Sequence, residues 1–162
     1  MIQRLALERP GMLDGIACFG SAWPTDDNLL PEMAALLPDW VPVPVLCVQG
    51  TADPLVPYEG GHSGIGKANR GTARSAIDSA RFFAELNGLN PAHHTSGSGD
   101  GVRVDRFGPG VPGSPAQSAS VELWSIEGMG HLVPSPKQLD EKIGPGTDKV
   151  VGAELVVKFF GL

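Results

Sequence analysis

The chain has 162 residues, which is enough for one folded domain with a sizeable buried core. Apolar residues make up 41% and charged residues 19% of the sequence, and these fractions exclude an intrinsically disordered protein. The net charge of −6 argues against nucleic acid or an anionic membrane surface as a partner, and no apolar stretch approaches the roughly 20 residues of a membrane span.

The first third of the chain alternates predicted helices with short apolar strands. Residues 1–9 have apolar side chains at helical spacing. Because no capping residue precedes them, we expect this start to lie inside a longer natural sequence. Residues 15–20 and 43–50 are apolar runs without polar alternation, which is typical of strands buried on both faces of a parallel sheet. A short helix is predicted over residues 31–37, with proline at its first position.

The middle of the chain contains one well-marked helix. Residues 58–71 are rich in glycine and predict a loop. Ser75, followed three residues later by Asp78, forms a capping-box pattern that predicts the start of a helix ending at Asn87-Gly88.

The last part of the chain combines a long excursion with a final strand and helix. Residues 89–119 are rich in Gly, Ser and Pro, and the alternating segment 102–107 predicts an exposed strand within them. A third buried strand is predicted over residues 120–127. A closing helix is predicted over residues 148–160, with Thr147 as its cap.

This order of elements predicts an α/β fold. Strands that alternate with helices are typically parallel and joined by right-handed crossovers. We therefore expect three consecutive parallel strands, at about residues 15–20, 43–50 and 120–127, with helices flanking the sheet. Cys18 and Cys47 both lie in apolar runs and are interpreted as small core residues. A disulfide between them depends on a distance that the sequence leaves open.

Two residues that could carry chemistry follow predicted strands. Asp53 follows the second strand and His131 follows the third. Ligands gather at the carboxyl ends of parallel strands, and an acid followed by a histidine is the chain order of the α/β-hydrolase triad. An aspartate after a strand is ordinarily a turn former, and a histidine in a Gly-rich loop is ordinarily structural. Their joint placement favours a catalytic pair.

The remaining polar candidates are weaker. His62 is interpreted as a solvated loop residue, and His93 and His94 have no Cys or carboxylate at metal-ligand spacing nearby in the sequence. No serine has glycine both two residues before and two residues after it. Ser63 comes nearest to this Gly-x-Ser-x-Gly pattern. The sequence therefore predicts the acid and the base of a triad without its nucleophile, and no metal or cofactor.

Two segments resemble the poly(3-hydroxybutyrate) depolymerase and feruloyl esterase-like family. They are residues 45–61, which include Gly-Thr-Ala-Asp-Pro, and residues 121–131, which end in Gly-Met-Gly-His. Residues 3–10 and 100–104 are similar to it as well. This resemblance implies that residues 1–162 form a single incomplete α/β-hydrolase domain, the C-terminal part of a serine esterase. The N-terminal strands and the nucleophile elbow would lie upstream.

The resemblance also implies specific roles. Asp53 would be the acid and His131 the base of the triad, and the ligand would be a small-molecule or polymeric ester. Family members are commonly secreted, although no signal peptide precedes the first predicted helix. Two alternatives stay open at this point. One is another α/β-hydrolase, of the dienelactone-hydrolase or prolyl-oligopeptidase type, and the other is a non-catalytic, truncated binding module.

The predicted fold has one further consequence. Without its neighbours the first strand would become a sheet edge with unpaired backbone groups and partly uncovered apolar faces. We therefore expect the chain to be marginally stable, to self-associate through this edge, or to need a partner.

Overall fold

The computed structural model describes residues 2–64, 70–113, 119–137 and 139–162. Within these ranges the α-helices are α1 (Ile2–Glu8), α2 (Pro31–Ala34), α3 (Ala76–Leu86) and α4 (Gly152–Phe160). The strands are β1 (Ile16–Phe19), β2 (Val45–Gly50), β3 (Gly61–His62), β4 (Thr72–Ala73), β5 (Thr95–Gly99), β6 (Val102–Phe107) and β7 (Val121–Ile126). Short 3₁₀ turns cover Asp26–Asn28, Leu37–Asp39 and Glu141–Ile143.

The central element is a mixed five-stranded sheet with the order β1-β2-β7-β6-β5. Strands β1, β2 and β7 are parallel neighbours, as the sequence predicts, and the chain has an α/β fold. Ile16 pairs with Val45, which pairs in turn with Val121, so all three strands end at the same rim. Strand β3, inside the segment predicted as loop, pairs with β4, directly after that segment, in a separate two-residue ladder. Residues 65–69 of that segment lie outside the described residues.

The prediction of an exposed strand over residues 102–107 is wrong in part. This segment is β6, which pairs antiparallel with β7 over its full length and with β5 on its other side. Val104, Asp105 and Phe107 are buried. The β5–β6 hairpin folds back onto the sheet, so the strand has a covered face that its surroundings in the sequence do not reveal. Residues 114–118 of the predicted excursion lie outside the described residues.

The predicted helices α1 and α3 are confirmed, whereas α2 ends at Ala34, before the predicted end at residue 37, and α4 begins later than predicted. The Ser75 Oγ accepts a hydrogen bond from the Asp78 backbone N–H at 3.1 Å and so caps α3. Helix α4 begins at Gly152 rather than near residue 148, and Val151 is its N-cap residue instead of Thr147. The reason is that the Gly152 N–H is bonded to the carbonyl of Pro134, which holds the preceding residues away from helical geometry.

Two apolar clusters cover the two faces of the sheet. Residues of α1 and α3 pack on one face around Trp23 and Phe83, both 0% exposed. Residues of α4 pack on the other face, against Leu46 and Val48 of β2. Because successive side chains of a strand point to opposite faces, an uninterrupted apolar strand can serve both clusters. None of the helices within the described ranges has the length and apolarity that crossing a membrane requires.

The two cysteines face each other across the parallel sheet. Cys18 pairs in register with Cys47, and both are buried free thiols, as predicted for core residues. Burial raises the pKa of Cys18 to about 11 and the pKa of Cys47 well above its ordinary value. A hydrogen bond from the Gln3 side chain opposes this effect at Cys18. Both thiols are therefore neutral at physiological pH and poor nucleophiles.

Candidate functional site

The side chains of Asp53 and His131 meet at the carboxyl rim of the sheet. Asp53 lies in the turn after β2 and His131 in the loop after β7. Since β2 and β7 are parallel neighbours, their following loops emerge side by side. The distance between His131 Nδ1 and Asp53 Oδ2 is 2.9 Å. The structure thus brings together the two residues that the sequence singled out.

The carboxylate of Asp53 is buried and fully hydrogen-bonded. Its side chain is 0% exposed. Oδ1 accepts from the backbone N–H groups of Leu55 at 2.8 Å and Val56 at 2.9 Å. Oδ2 accepts from Gln49 Nε2 at 3.0 Å and from His131. Four donors suit an ionised carboxylate, which can only accept.

The imidazole of His131 is held on one side and open on the other. A carboxylate cannot donate, so the neutral ring carries its proton on Nδ1 and has an unshared electron pair on Nε2. The side chain is 33% exposed. The backbone N–H of His131 donates to the carbonyl of Ile143 at 2.6 Å, and the N–H of Gly130 donates to the carbonyl of Pro145 at 2.8 Å. The His131 loop is thereby fixed to the segment before α4.

Gly20, directly after β1, leaves the space in which the side chains of Asp53 and His131 meet. Its backbone has φ +56°, and a Cβ there would lie 2.8 Å from His131 Nδ1 and 3.4 Å from Asp53 Oδ2. Only a residue without a side chain leaves room for the ring at this point. All three parallel strands therefore contribute to the site, each through the residues at its carboxyl end.

Sequence reasoning missed two residues of this arrangement. Gln49 is 3% exposed and donates both to Asp53 and to the carbonyl of Val56, at 2.8 Å. Its signal was a single polar side chain within the apolar run of β2. Gly20 was visible as a glycine at the carboxyl end of a buried strand, but the sequence alone does not indicate what approaches it.

No nucleophile is hydrogen-bonded to the ring within the described residues. Ser63, the nearest match to the elbow pattern, lies directly after β3 instead of between a central strand and a helix. Its buried hydroxyl has no partner in the described part of the chain. Across residues 2–64, 70–113, 119–137 and 139–162, no serine hydroxyl is bonded to His131.

The other histidines have different environments. His62 is exposed in β3, where it pairs with Thr72. His94 stacks on Phe107 with ring centroids 5.0 Å apart, and its Nε2 lies 3.6 Å from Oδ1 of the buried Asp105. The sequence spacing does not reveal this contact, because the β5–β6 pairing brings residue 105 back to His94. Within the described ranges, no three His, Cys, Asp or Glu residues form a metal-binding group.

Chemically, the pair can accept a proton at one defined atom. Nε2 of His131 is the basic position, and the buried carboxylate stabilises the imidazolium that proton transfer would create.

Comparisons of the chain with protein-family models, curated proteins and solved structures gave no significant match.

Proposed function

We propose that this chain supplies the acid and the base of a serine hydrolase that cleaves carboxylic esters. In this proposal Asp53 orients His131, which takes the proton from a serine hydroxyl and later returns one to the leaving alcohol. The serine belongs to a segment outside this sequence. The fold would then be the C-terminal part of an α/β-hydrolase domain, with β1, β2 and β7 as consecutive strands of a larger sheet.

The observation that carries the proposal is the 2.9 Å contact between His131 Nδ1 and Asp53 Oδ2, at the common rim of parallel strands. A general base needs one ring nitrogen that is open to its substrate. Here the second nitrogen has no partner among the described residues, and a third of the side chain is exposed. The ligand is an ester, small or polymeric.

The nucleophile is the decisive test. The DNA directly upstream of the codon for Met1 should encode an in-frame Gly-x-Ser-x-Gly, and the longer protein should hydrolyse p-nitrophenyl butyrate. Asp53→Asn should lower kcat by about 10⁴-fold in that protein. His131→Ala should lower it by about 10⁶-fold. An unrelated upstream sequence, or hydrolysis that survives His131→Ala, would remove the basis of the proposal.

The chain itself provides the complementary test. Without a nucleophile it should not become labelled by a fluorophosphonate probe, which reacts with activated serines, and it should not turn over the ester. Serine-specific labelling that disappears in His131→Ala would mean that the nucleophile lies within these 162 residues. Ser63→Ala would then be the first variant to examine.

A further inference from the structure

A second polar site lies on the same rim as the Asp53–His131 pair. It is a cavity of about 360 Å³ between the loop after β2 and the β5–β6 hairpin. Its wall includes Thr51, Tyr58, Ser98, Val102, Arg103 and Ser125. None of these residues belongs to the pair itself.

The polar side chains of the cavity form a row across the sheet. Gln49 of β2 pairs in register with Ser125 of β7, Ser125 with Arg103 of β6, and Arg103 with Ser98 of β5. Residues in register on neighbouring strands point to the same face. Polar residues thus occupy one position in four adjacent strands, at the end of the face beneath α3, where Asp105 is a further buried polar residue among apolar ones.

Two hydrogen-bond donors in this row have no acceptor among the described residues. The Tyr58 hydroxyl donates to Ser125 Oγ at 2.8 Å, so the hydrogen of the Ser125 hydroxyl has no acceptor within the described residues. Ser125 is only 4% exposed. Arg103 uses Nε and Nη2 on Asp105 and Ser96, and its Nη1 has no acceptor in the same ranges. Of these two donors only the Ser125 hydroxyl is buried, because the Arg103 side chain is 51% exposed. A polar hydrogen buried without an acceptor is unfavourable unless a ligand or water accepts it.

The local charges cancel. Arg103 Nη2 lies 2.9 Å from Asp105 Oδ1, and Lys149 Nζ lies 3.9 Å from Oε2 of Glu127, which also lines the cavity. Both of these cations therefore have a carboxylate close by. An anionic ligand would have to compete with these carboxylates, whereas a neutral ligand with acceptor oxygens would not.

We propose that this cavity is a binding site for a small uncharged group that carries carbonyl or hydroxyl oxygens. Ser98, Ser125 and Arg103 Nη1 donate to those oxygens, and the ring of Tyr58 with Val102 covers the apolar part. A cavity of this volume lies at the lower end of the range for small-molecule sites.

Two connections join the cavity to the Asp53–His131 pair. Tyr58 follows Asp53 in the same loop, and Thr51 Oγ1 accepts from the N–H of Gly128, three residues before His131. We assign the cavity to part of the ester substrate. That assignment rests on the proposed function, whereas binding in the cavity does not.

Benzamide and benzoate test the proposal, because they share shape but differ in charge. The full chain labelled with ¹⁵N is titrated with each compound, and the amide signals of Gly99, Gly101 and Val102 are followed. Benzamide should shift these signals saturably, with a Kd at least several-fold lower than that of benzoate. Equal or tighter binding of benzoate, or benzamide shifts confined to other parts of the chain, would overturn the proposal.

Matched variants locate the contact. Loss of one neutral hydrogen bond should weaken benzamide binding about three- to tenfold in Ser125→Ala and again in the exposed Ser98→Ala. Thr95→Ala, on the same hairpin but outside the cavity, should leave the Kd unchanged. His131→Ala should also leave it unchanged, so failure of hydrolysis and failure of binding are distinguishable. Unaltered affinity in both serine variants would contradict the assigned donors.

Discussion

The two carboxylate oxygens of Asp53 have separate partners. Oδ1 accepts from the backbone of Leu55 and Val56 and shapes the turn after β2, whereas Oδ2 accepts from Gln49 and His131. The ordinary role of an aspartate after a strand and the role of a histidine partner are therefore compatible in one side chain. The turn fixes the carboxylate, and the fixed carboxylate then orients the ring.

Asp53→Asn separates the two roles. The amide oxygen can keep the turn, but the amide nitrogen then faces two donors, Gln49 Nε2 and His131 Nδ1. The imidazole should respond by moving its proton to Nε2, so that Nδ1 accepts from the new amide. The ¹⁵N shifts of the ring should report this change of tautomer, and the free energy of unfolding should fall by about 1–3 kcal/mol. The exposed Asp148→Asn is the control, and an unchanged tautomer would contradict the prediction.

Gly20→Ala tests the seat of the ring. At φ +56° an alanine is strained by about 1–2 kcal/mol, and its Cβ would also collide with His131 Nδ1. Gly11 has a similar φ of +77° with nothing within 4 Å of its would-be Cβ, so Gly11→Ala carries the strain alone. Gly20→Ala should therefore lose more stability in urea than Gly11→Ala, and only Gly20→Ala should shift the ring signals of His131. Equal losses would show that the ring yields freely.

At this scale the sequence predicts the pair and not its surroundings. Asp53 and His131 are recognisable because each follows a buried strand at a known end. The roles of Gln49 and Gly20 depend on the atoms that approach them from neighbouring strands. Those contacts are set by the register of the strands. A one-residue slip in β2 would turn Gln49 to the opposite face, and no local pattern excludes it.

Asn87 connects several elements at the end of α3. Its Oδ1 accepts from Trp40 Nε1 and from the N–H of Val43, and its Nδ2 donates to the carbonyls of Val43 and Ala119. Asn87→Ala leaves these buried groups without partners and should cost about 2–4 kcal/mol in the free energy of unfolding, measured as a lower urea midpoint. Asn90→Ala, at an exposed turn, should cost under about 1 kcal/mol. Similar losses for the two variants would contradict this account.

The buried thiols of Cys18 in β1 and Cys47 in β2 make the free energy of unfolding depend on pH in the alkaline range. The pKa of Cys18 rises from 9.0 to about 11 on burial. The unfolded thiol therefore loses its proton at lower pH than the folded one. The contribution of the protonated Cys18 thiol to the free energy of unfolding is therefore complete below pH 9. It is lost as the pH rises from 9 to 11, which lowers the free energy of unfolding by about 2–3 kcal/mol. Urea unfolding of Cys18→Ala under reducing conditions should show a flatter decline, and identical slopes would refute the assignment.

Most helices and strands can be predicted from the sequence, whereas the burial of the β5–β6 hairpin cannot. Apolar runs and the Ser75 cap mark β1, β2, β7 and α3, because these signals are local. The burial of Asp105 in β6 is not local, since it follows from pairing with β7 and from the neighbouring Arg103. In the same way, the start of α4 is displaced by a tertiary contact of Gly152 with Pro134.

At the scale of the whole molecule, the two edges of the sheet differ in chemistry. Strand β5 is exposed throughout but consists of Gly, Ser and Thr, which are poor in apolar contacts. Strand β1 is apolar, with Ile16 and Cys18 each 2% exposed and Phe19 half-buried. We expected the apolar faces of β1 to be partly uncovered. Helix α1 packs on one of them, so that face is better covered than expected. On the side away from β2, strand β1 pairs with no other strand among the described residues, so this backbone edge is the surface along which another strand would pair.

Edge pairing through β1 can be tested without disturbing the fold. The N–H groups of Ile16 and Gly20 donate to Pro44 and Val48 of the β2 side, so by alternation the N–H of Ala17 points to the free edge. We expect the chain to self-associate in sedimentation experiments. Ala17→Pro should reduce this association, because it removes one edge donor while keeping the internal ladder.

The matched variant uses the other side of the same strand. By the same alternation, Cys18→Pro removes a hydrogen bond to β2, so it should lower the unfolding temperature markedly, whereas Ala17→Pro should change it little. The pairing surface and the stability of the monomer are thus measured separately by sedimentation and calorimetry. A monomeric, cooperatively melting wild-type chain would contradict edge association. Association unchanged in Ala17→Pro would move the contact away from β1, to an exposed apolar surface such as that around Val133 and Val151.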